Sequence, residues 1–251
     1  MKIFSILFKA EFKRFWSPAM IICGFGLVGF GLIPTTVLIR SGNATNLSTL
    51  MQTADQFLSF FTLLIFSAGI VGSDIKSGWV RTLLVRAVTR QQYVVTKMFV
   101  AFTATYIVYI FCISISLTVL LFNPKVIILF DLSTSALFVL IKSAQIFLLI
   151  TISTMVSCFI LGAFNSLFVY IWMSADMLLN FLITRKYWDV QWMTIMKDYI
   201  FPSGFDDALK VISADIVFPY SELLWGFGAL LLFFSAALIS MNNAVIDVGS
   251  E

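Results

Sequence analysis

Histidine is absent from this 251-residue chain, and charge is scarce, with 12% of residues Asp, Glu, Lys or Arg. The first absence removes bis-histidine haem, histidine-ligated zinc, serine–histidine and cysteine–histidine triads, and histidine general bases. Haem-carrying respiratory subunits and most intramembrane hydrolases go with them. The second absence removes a water-facing surface, because ordinary soluble domains are about 25% charged. Cysteine is sparse too. Cys23, Cys112 and Cys158 lie far apart, each inside an apolar stretch. Disulfide frameworks and metal knuckles need pairs at defined spacing, so these read as buried, inert thiols. What remains is apolar. Hydrophobic residues make up 60% of the chain, and we read it as an all-α integral membrane protein.

A helix needs about 20 mainly apolar residues to cross the hydrocarbon core. Uncharged runs of that order occupy 15–39, 56–73, 98–122 and 223–246. The region 137–184 is about twice that length and carries only Lys142 and Asp176 as charges. A break at Gly162-Ala163-Phe164-Asn165 divides it into two helices and leaves both charges within the membrane region. The expectation is six spans, near 18–39, 56–73, 98–122, 137–160, 164–184 and 222–242. A single tilted helix over 143–175 would give five and move the C-terminus across the membrane.

The positive-inside rule sets orientation. With the N-terminus inside, Lys2, Lys9, Lys13, Arg14, Lys76, Arg81, Arg86, Arg90 and Lys97 are cytoplasmic. Arg40, Lys125, Arg185, Lys186, Lys197 and Lys210 fall outside, with most of the acids. Both termini are therefore expected in the cytoplasm, in a multi-pass protein of the cell (inner, cytoplasmic) membrane. The net charge of +3 is a topology signal, and no nucleic-acid partner is expected. Lys9, Glu11, Lys13 and Arg14 interrupt the first apolar stretch, which argues against a cleavable signal peptide. The chain reads as one transmembrane domain, 1–251, without internal repeats.

Three segments are more than lipid-facing filler. In 2–15, Lys2, Ser5, Lys9 and Lys13 share one face of a helical wheel, opposite Ile3, Phe4, Leu7, Phe8 and Phe15. That pattern predicts an interfacial amphipathic helix before Pro18 opens the first span. The plainer reading is a basic anchor that only sets topology. Glu11 counts against it, because a carboxylate amid the apolar face needs a partner. Arg14, or an arginine of the next segment, would serve.

The second segment is the cytoplasmic loop 74–97. Thr89 and Gln92 have capping-box spacing with Val88 and Tyr93 as a staple, so the third span is expected to begin at Arg90. Before it, Trp79, Val80, Leu83 and Leu84 share one side of a short helix, suited to docking on a soluble partner. The alternative is a solvated basic loop. The third segment is 185–221, expected outside the membrane. Asp189 caps a helix to about Ile200, Pro202 breaks it, and Phe205, Ala208, Leu209 and Ile212 form the stripe of another. These short outer helices before the last span form either a lid over a path or a loop lying on lipid. Lys142 and Asp176 are costly within a membrane. They read as a structural pair, with Lys142 alone able to snorkel, or as part of a substrate path.

The order of these features is similar to the membrane subunit of the type-2 ABC exporter permeases. The resemblance is carried by Lys9-Ala-Glu11-Phe-Lys13-Arg14 before six spans, and by Asp74…Gly78-Trp-Val-Arg81…Leu84…Thr89-Arg90…Tyr93…Lys97 between the second and third. It covers the whole chain in architecture, and its motif content sits in 74–97. The family's usual proline before Ser/Thr-Arg is missing; Ala87-Val88 stands there.

The resemblance implies that 74–88 is a coupling helix docked on ATP-binding cassette ATPase subunits, with Asp74, Gly78, Trp79, Arg81, Leu83, Leu84, Arg86 and Arg90 at the contact. Glu11 and Arg14 would pair at the cytoplasmic side. The chain has no Gly-Lys-Ser/Thr phosphate loop, so no enzyme activity or cofactor is expected in it. ATP and Mg belong to the partner. Six spans are half a transporter, which implies a second permease, identical or homologous. The path would run past Thr35, Thr62, Ser67, Asp176 and Asn180. Its mostly apolar, hydroxyl-studded wall suits an amphipathic peptide or lipid-like cargo, as in antimicrobial-peptide immunity and toxin-export permeases.

The rivals are a small secondary transporter, a structural subunit of a larger membrane complex and, weakest, an intramembrane enzyme. Topology is directly testable. A reporter active only outside the cytoplasm should give signal when fused after Asn43 and none when fused after Arg86; the reverse pattern would invert the orientation.

Overall fold

The computed structural model describes residues 2–41, 45–52, 54, 70–84, 88–123, 127–160, 204–213 and 218–243. Among these, helix dominates. Four stretches are long and apolar enough to cross a membrane, Pro18–Val37, Arg90–Leu121, Leu132–Phe159 and Tyr220–Asn243, which is the build of a multi-pass membrane protein. They fall on the spans expected near 18–39, 98–122, 137–160 and 222–242. The span expected near 164–184, and residues 56–69 of the one near 56–73, lie outside the described residues. Its last residues are not span: Ile70 and Val71 form a turn, and a separate helix starts at Gly72. The chain divides into two compact units, 1–67 with 88–140, and 68–87 with 141–251.

In the first unit, α1 (Lys2–Phe15) is followed by Ser17, whose hydroxyl accepts from the Met20 amide at 3.4 Å and caps α2 (Pro18–Gly31). Pro18 suits the first helical turn because its missing N–H has no intrahelical partner there. The span is interrupted at Leu32, before α3 (Ile33–Ser41). Pro34 explains the break, since it cannot donate to the carbonyl four residues back. α6 (Arg90–Leu121) opens on the predicted capping box: the Gln92 amide donates to Thr89 Oγ1 and the Thr89 amide to Gln92 Oε1, both at 3.2 Å.

Leu27 and Val28 pack with Ala104, Val108, Tyr109 and Cys112 to form the core between α2 and α6. Gly24 faces Val108, and farther along Thr35 Oγ1 donates to Ser116 Oγ at 2.9 Å. Residue numbers rise together on both sides of these contacts, so the two helices run in the same direction. At their far end Thr45 and Asn46 (β1) pair in parallel with Ile128 and Leu129 (β2). Beside this ladder the Ser48 amide donates to Asp131 Oδ1 at 3.1 Å, its hydroxyl donates to Oδ2, and Ser135 Oγ donates to Oδ1 at 3.2 Å. Partial burial pushes the Asp131 carboxyl up, but these hydrogen bonds outweigh it and hold the group below its usual value.

The second unit contains α4 (Gly72–Lys76), α5 (Trp79–Leu84), most of α7 (Leu132–Phe159), α8 (Gly204–Ser213) and α9 (Tyr220–Asn243). On α8, Phe205, Ala208 and Leu209 of the predicted stripe are buried and its fourth member, Ile212, is half-buried; the helix expected over 189–200 lies outside the described residues. α8 meets α9 at a glycine contact. A methyl group on Gly204 would stand 2.6 Å from the Glu222 carbonyl, and one on Gly226 would stand 2.8 Å from the Phe205 ring. Phe205 also meets Phe227 edge-on at 5.2 Å. Among the cysteines, Cys112 and Cys158 are buried as expected, but Cys23 is exposed. It points away from the packed side of α2, where apolar character alone does not require burial.

Gly226→Val should therefore force α8 off α9. Overpacking of this kind costs about 1–3 kcal/mol, read as a lower unfolding temperature of the purified chain in detergent. Gly228→Ala, where added atoms meet nothing within 4 Å, should leave it unchanged.

Candidate functional site

Residues 70–84 form an anchored helix–turn–helix. α4 is short, and its preceding residue Val71 offers no capping side chain. The missing acceptor comes from elsewhere: the amides of Val71 and Gly72 donate to Ser157 Oγ on α7 at 3.1 and 2.8 Å. The chain then reverses at Ser77-Gly78. The Gly78 amide donates to the Ile75 carbonyl at 3.1 Å, and Gly78 adopts φ +74°, a left-handed conformation that glycine enters without a Cβ clash. Ser77 Oγ donates to the Asp74 carbonyl at 3.2 Å and tightens the turn.

This geometry buries part of the apolar side expected as a contact surface. Val80 and Leu83, three residues apart on α5, are 1% and 8% exposed and so are buried within the chain. Trp79 and Leu84 flank them and are half-buried, and Asp74 is buried. The apolar side thus serves the chain's own packing, since burying it internally removes the same surface from water as a partner would. The exposed side is polar, made by Ser73, Lys76, Ser77 and Thr82. Arg81 lies in α5 with its side chain outside the described residues, as is Arg86. Arg90 belongs to the first unit, half-buried at the first residue of α6.

Glu11 has a different principal partner from the ones expected. Lys97 Nζ lies 2.6 Å from Glu11 Oε2, whereas Arg14 Nη1 lies at 3.8 Å. Glu11 is 1% exposed and Lys97 8%. Leu7 and Glu11 form the buried stripe of α1, one turn apart; Tyr93, Lys97 and Ala101 form that of α6. Phe4 meets Phe99 edge-on at 6.1 Å, and Lys97 Nζ lies 5.7 Å from the centre of the Tyr93 ring. Each charge sits on the apolar stripe of its own helix. That shared placement is the signal in the sequence for pairing Glu11 with Lys97.

Of the path residues, Thr35 is buried with its hydroxyl committed to Ser116. Thr62, Ser67, Asp176 and Asn180 lie outside the described residues. Lys142 does not snorkel: it is 4% exposed and donates to Gln145 Oε1 at 2.5 Å. Its expected contact with Asp176 lies outside the described residues. Among the described residues, no three His, Cys, Asp or Glu side chains gather as a metal site requires.

Removing one member of a buried ion pair leaves the other charge desolvated, at a cost of about 3–5 kcal/mol. Glu11→Gln and Lys97→Met should each lower the unfolding temperature in detergent by more than Arg14→Gln. The double variant should lose less than the sum of the two, and additive losses would mean the groups are not coupled. No protein-family model, curated protein or solved structure matches the chain, and its own residues carry the functional reading.

Proposed function

We propose that the chain is the transmembrane permease subunit of an ATP-driven ABC exporter. Its 74–88 segment couples a separate ATPase to export of an amphipathic peptide or lipid-like cargo. The observation that carries this reading is the clamped helix–turn–helix of α4 and α5. A loop that only satisfied the positive-inside rule would keep its backbone in water. This one buries Asp74, Val80 and Leu83, and ties its first amides to Ser157.

An anchored element of this kind transmits displacement. A push on the exposed Lys76–Thr82 side passes through Ser157 into α7, a 28-residue helix. Closure of the ATPase dimer would thereby bias the permease between inward-open and outward-open states. The parallel course of α2 and α6 supports a first and third span separated by one that returns. With the N-terminus inside, α1 lies along the cytoplasmic surface of the inner membrane, with Lys9 and Lys13 exposed. Six spans and a second permease complete the transporter, and ATP with Mg stays on the partner.

A pull-down of the tagged chain in mild detergent tests the coupling. The native chain should retain an ATPase, and Lys76→Glu with Thr82→Glu should reduce it at least about tenfold, the equivalent of about 1.4 kcal/mol. Because both residues are exposed, the variant should keep the native unfolding temperature. Absence of any ATPase from the native preparation would sink the proposal.

A further inference from the structure

The side of the α2–α6 pair that opens outward holds a groove of about 170 Å³. Gly24, Val28 and Val108 form its buried floor, while Ile21, Phe25 and Phe111 stand exposed along its rim. Its depth comes from Gly24. A Cβ there would meet only the Trp16 ring at 3.7 Å and a Val108 methyl at 3.8 Å, so a larger side chain would project into the groove. Trp16 closes one end, at the corner between α1 and α2. Next to that corner the last two turns of α1 carry Lys9, Lys13 and Arg14, all exposed. Glu11, the carboxylate of α1, is buried and held by Lys97 at 2.6 Å, with Arg14 at 3.8 Å, so Lys9 and Lys13 carry most of the charge of the basic face.

We propose that this is a binding site for one anionic phospholipid. An acyl chain lies in the groove, and the phosphate headgroup lies over the basic face of α1. Three features fit a single occupant: an apolar slot within two candidate spans, a tryptophan at its end where amphipathic rings favour the bilayer interface, and positive charge just beyond. A soluble anion would find the charge without the slot. A neutral lipid would fill the slot without using the charge. The inference depends on the spans lying in a bilayer and is independent of ATPase coupling.

The test is lipid retention by the full chain in mild detergent, followed by native mass spectrometry. The probes are dioleoyl phosphatidylglycerol, dioleoyl phosphatidylcholine and inorganic phosphate. Basic residues near an anionic surface each contribute enough that the native chain should retain one phosphatidylglycerol at about tenfold lower concentration than phosphatidylcholine. Inorganic phosphate should not compete. Lys9→Gln with Lys13→Gln should erase the preference but keep the weaker binding, and Gly24→Leu should abolish retention of both lipids. An independent measurement guards against a misfolded Gly24 variant: phosphatidylglycerol with brominated acyl chains should quench the native chain more than Trp16→Phe. Equal retention of the two lipids by the native chain would overturn the headgroup assignment. Unchanged retention by a folded Gly24→Leu, or quenching that does not involve Trp16, would overturn the groove. A change in oligomeric state with Gly24→Leu, at unaltered lipid retention, would assign the groove to a second copy of the chain instead.

Discussion

A carboxylate and an ammonium 2.6 Å apart, both almost out of water, decide where the N-terminal helix lies on α6. Neither charge is tolerable alone in that setting, because burial of an unpaired ion costs far more than helix packing returns. Once Glu11 and Lys97 are joined, α1 can turn at Ser17 and deliver α2 alongside α6. The Leu27–Cys112 core, the Thr35–Ser116 hydrogen bond and the far-end clasp of Ser48 and Asp131 lie beyond that joint. In a chain with so little charge, each buried polar group is a fixed point.

The second unit follows the same rule with hydroxyls. Ser157 supplies the acceptor that the short helix α4 cannot find in its own sequence. Gly78 supplies a backbone conformation that a β-carbon would strain. Between them they convert a polar loop into an element with a defined inner and outer side. A further pair of glycines, Gly204 and Gly226, lets α8 approach α9 backbone to backbone, with the Phe205 ring buried against Gly226.

Much of this was legible beforehand. Three of the described spans cover uncharged runs of helical length, the fourth, Leu132–Phe159, falls on the apolar region that carries Lys142, and Thr89-Arg-Gln-Gln92 states its own capping box. The stripe Phe205, Ala208 and Leu209 follows from spacing alone. The site was less legible. The burial of Val80 and Leu83 was not legible, because an apolar face on a short helix looks the same whether it meets a partner or its own chain. Lys97 was counted as a topology charge because its membership of the buried stripe of α6 depends on what packs there.

The sequence by itself determined the class of the protein, the placement of the described spans and the Thr89 capping box, since these depend on local hydrophobicity and hydrogen bonds within a few residues. Only the tertiary structure decided which charge partners Glu11, which face of α5 is buried, that Ser157 clamps α4, and that a groove lies under Trp16. Those are contacts between residues tens of positions apart. Hydrophobic periodicity says that a face must be covered, and it carries no information about which distant segment covers it.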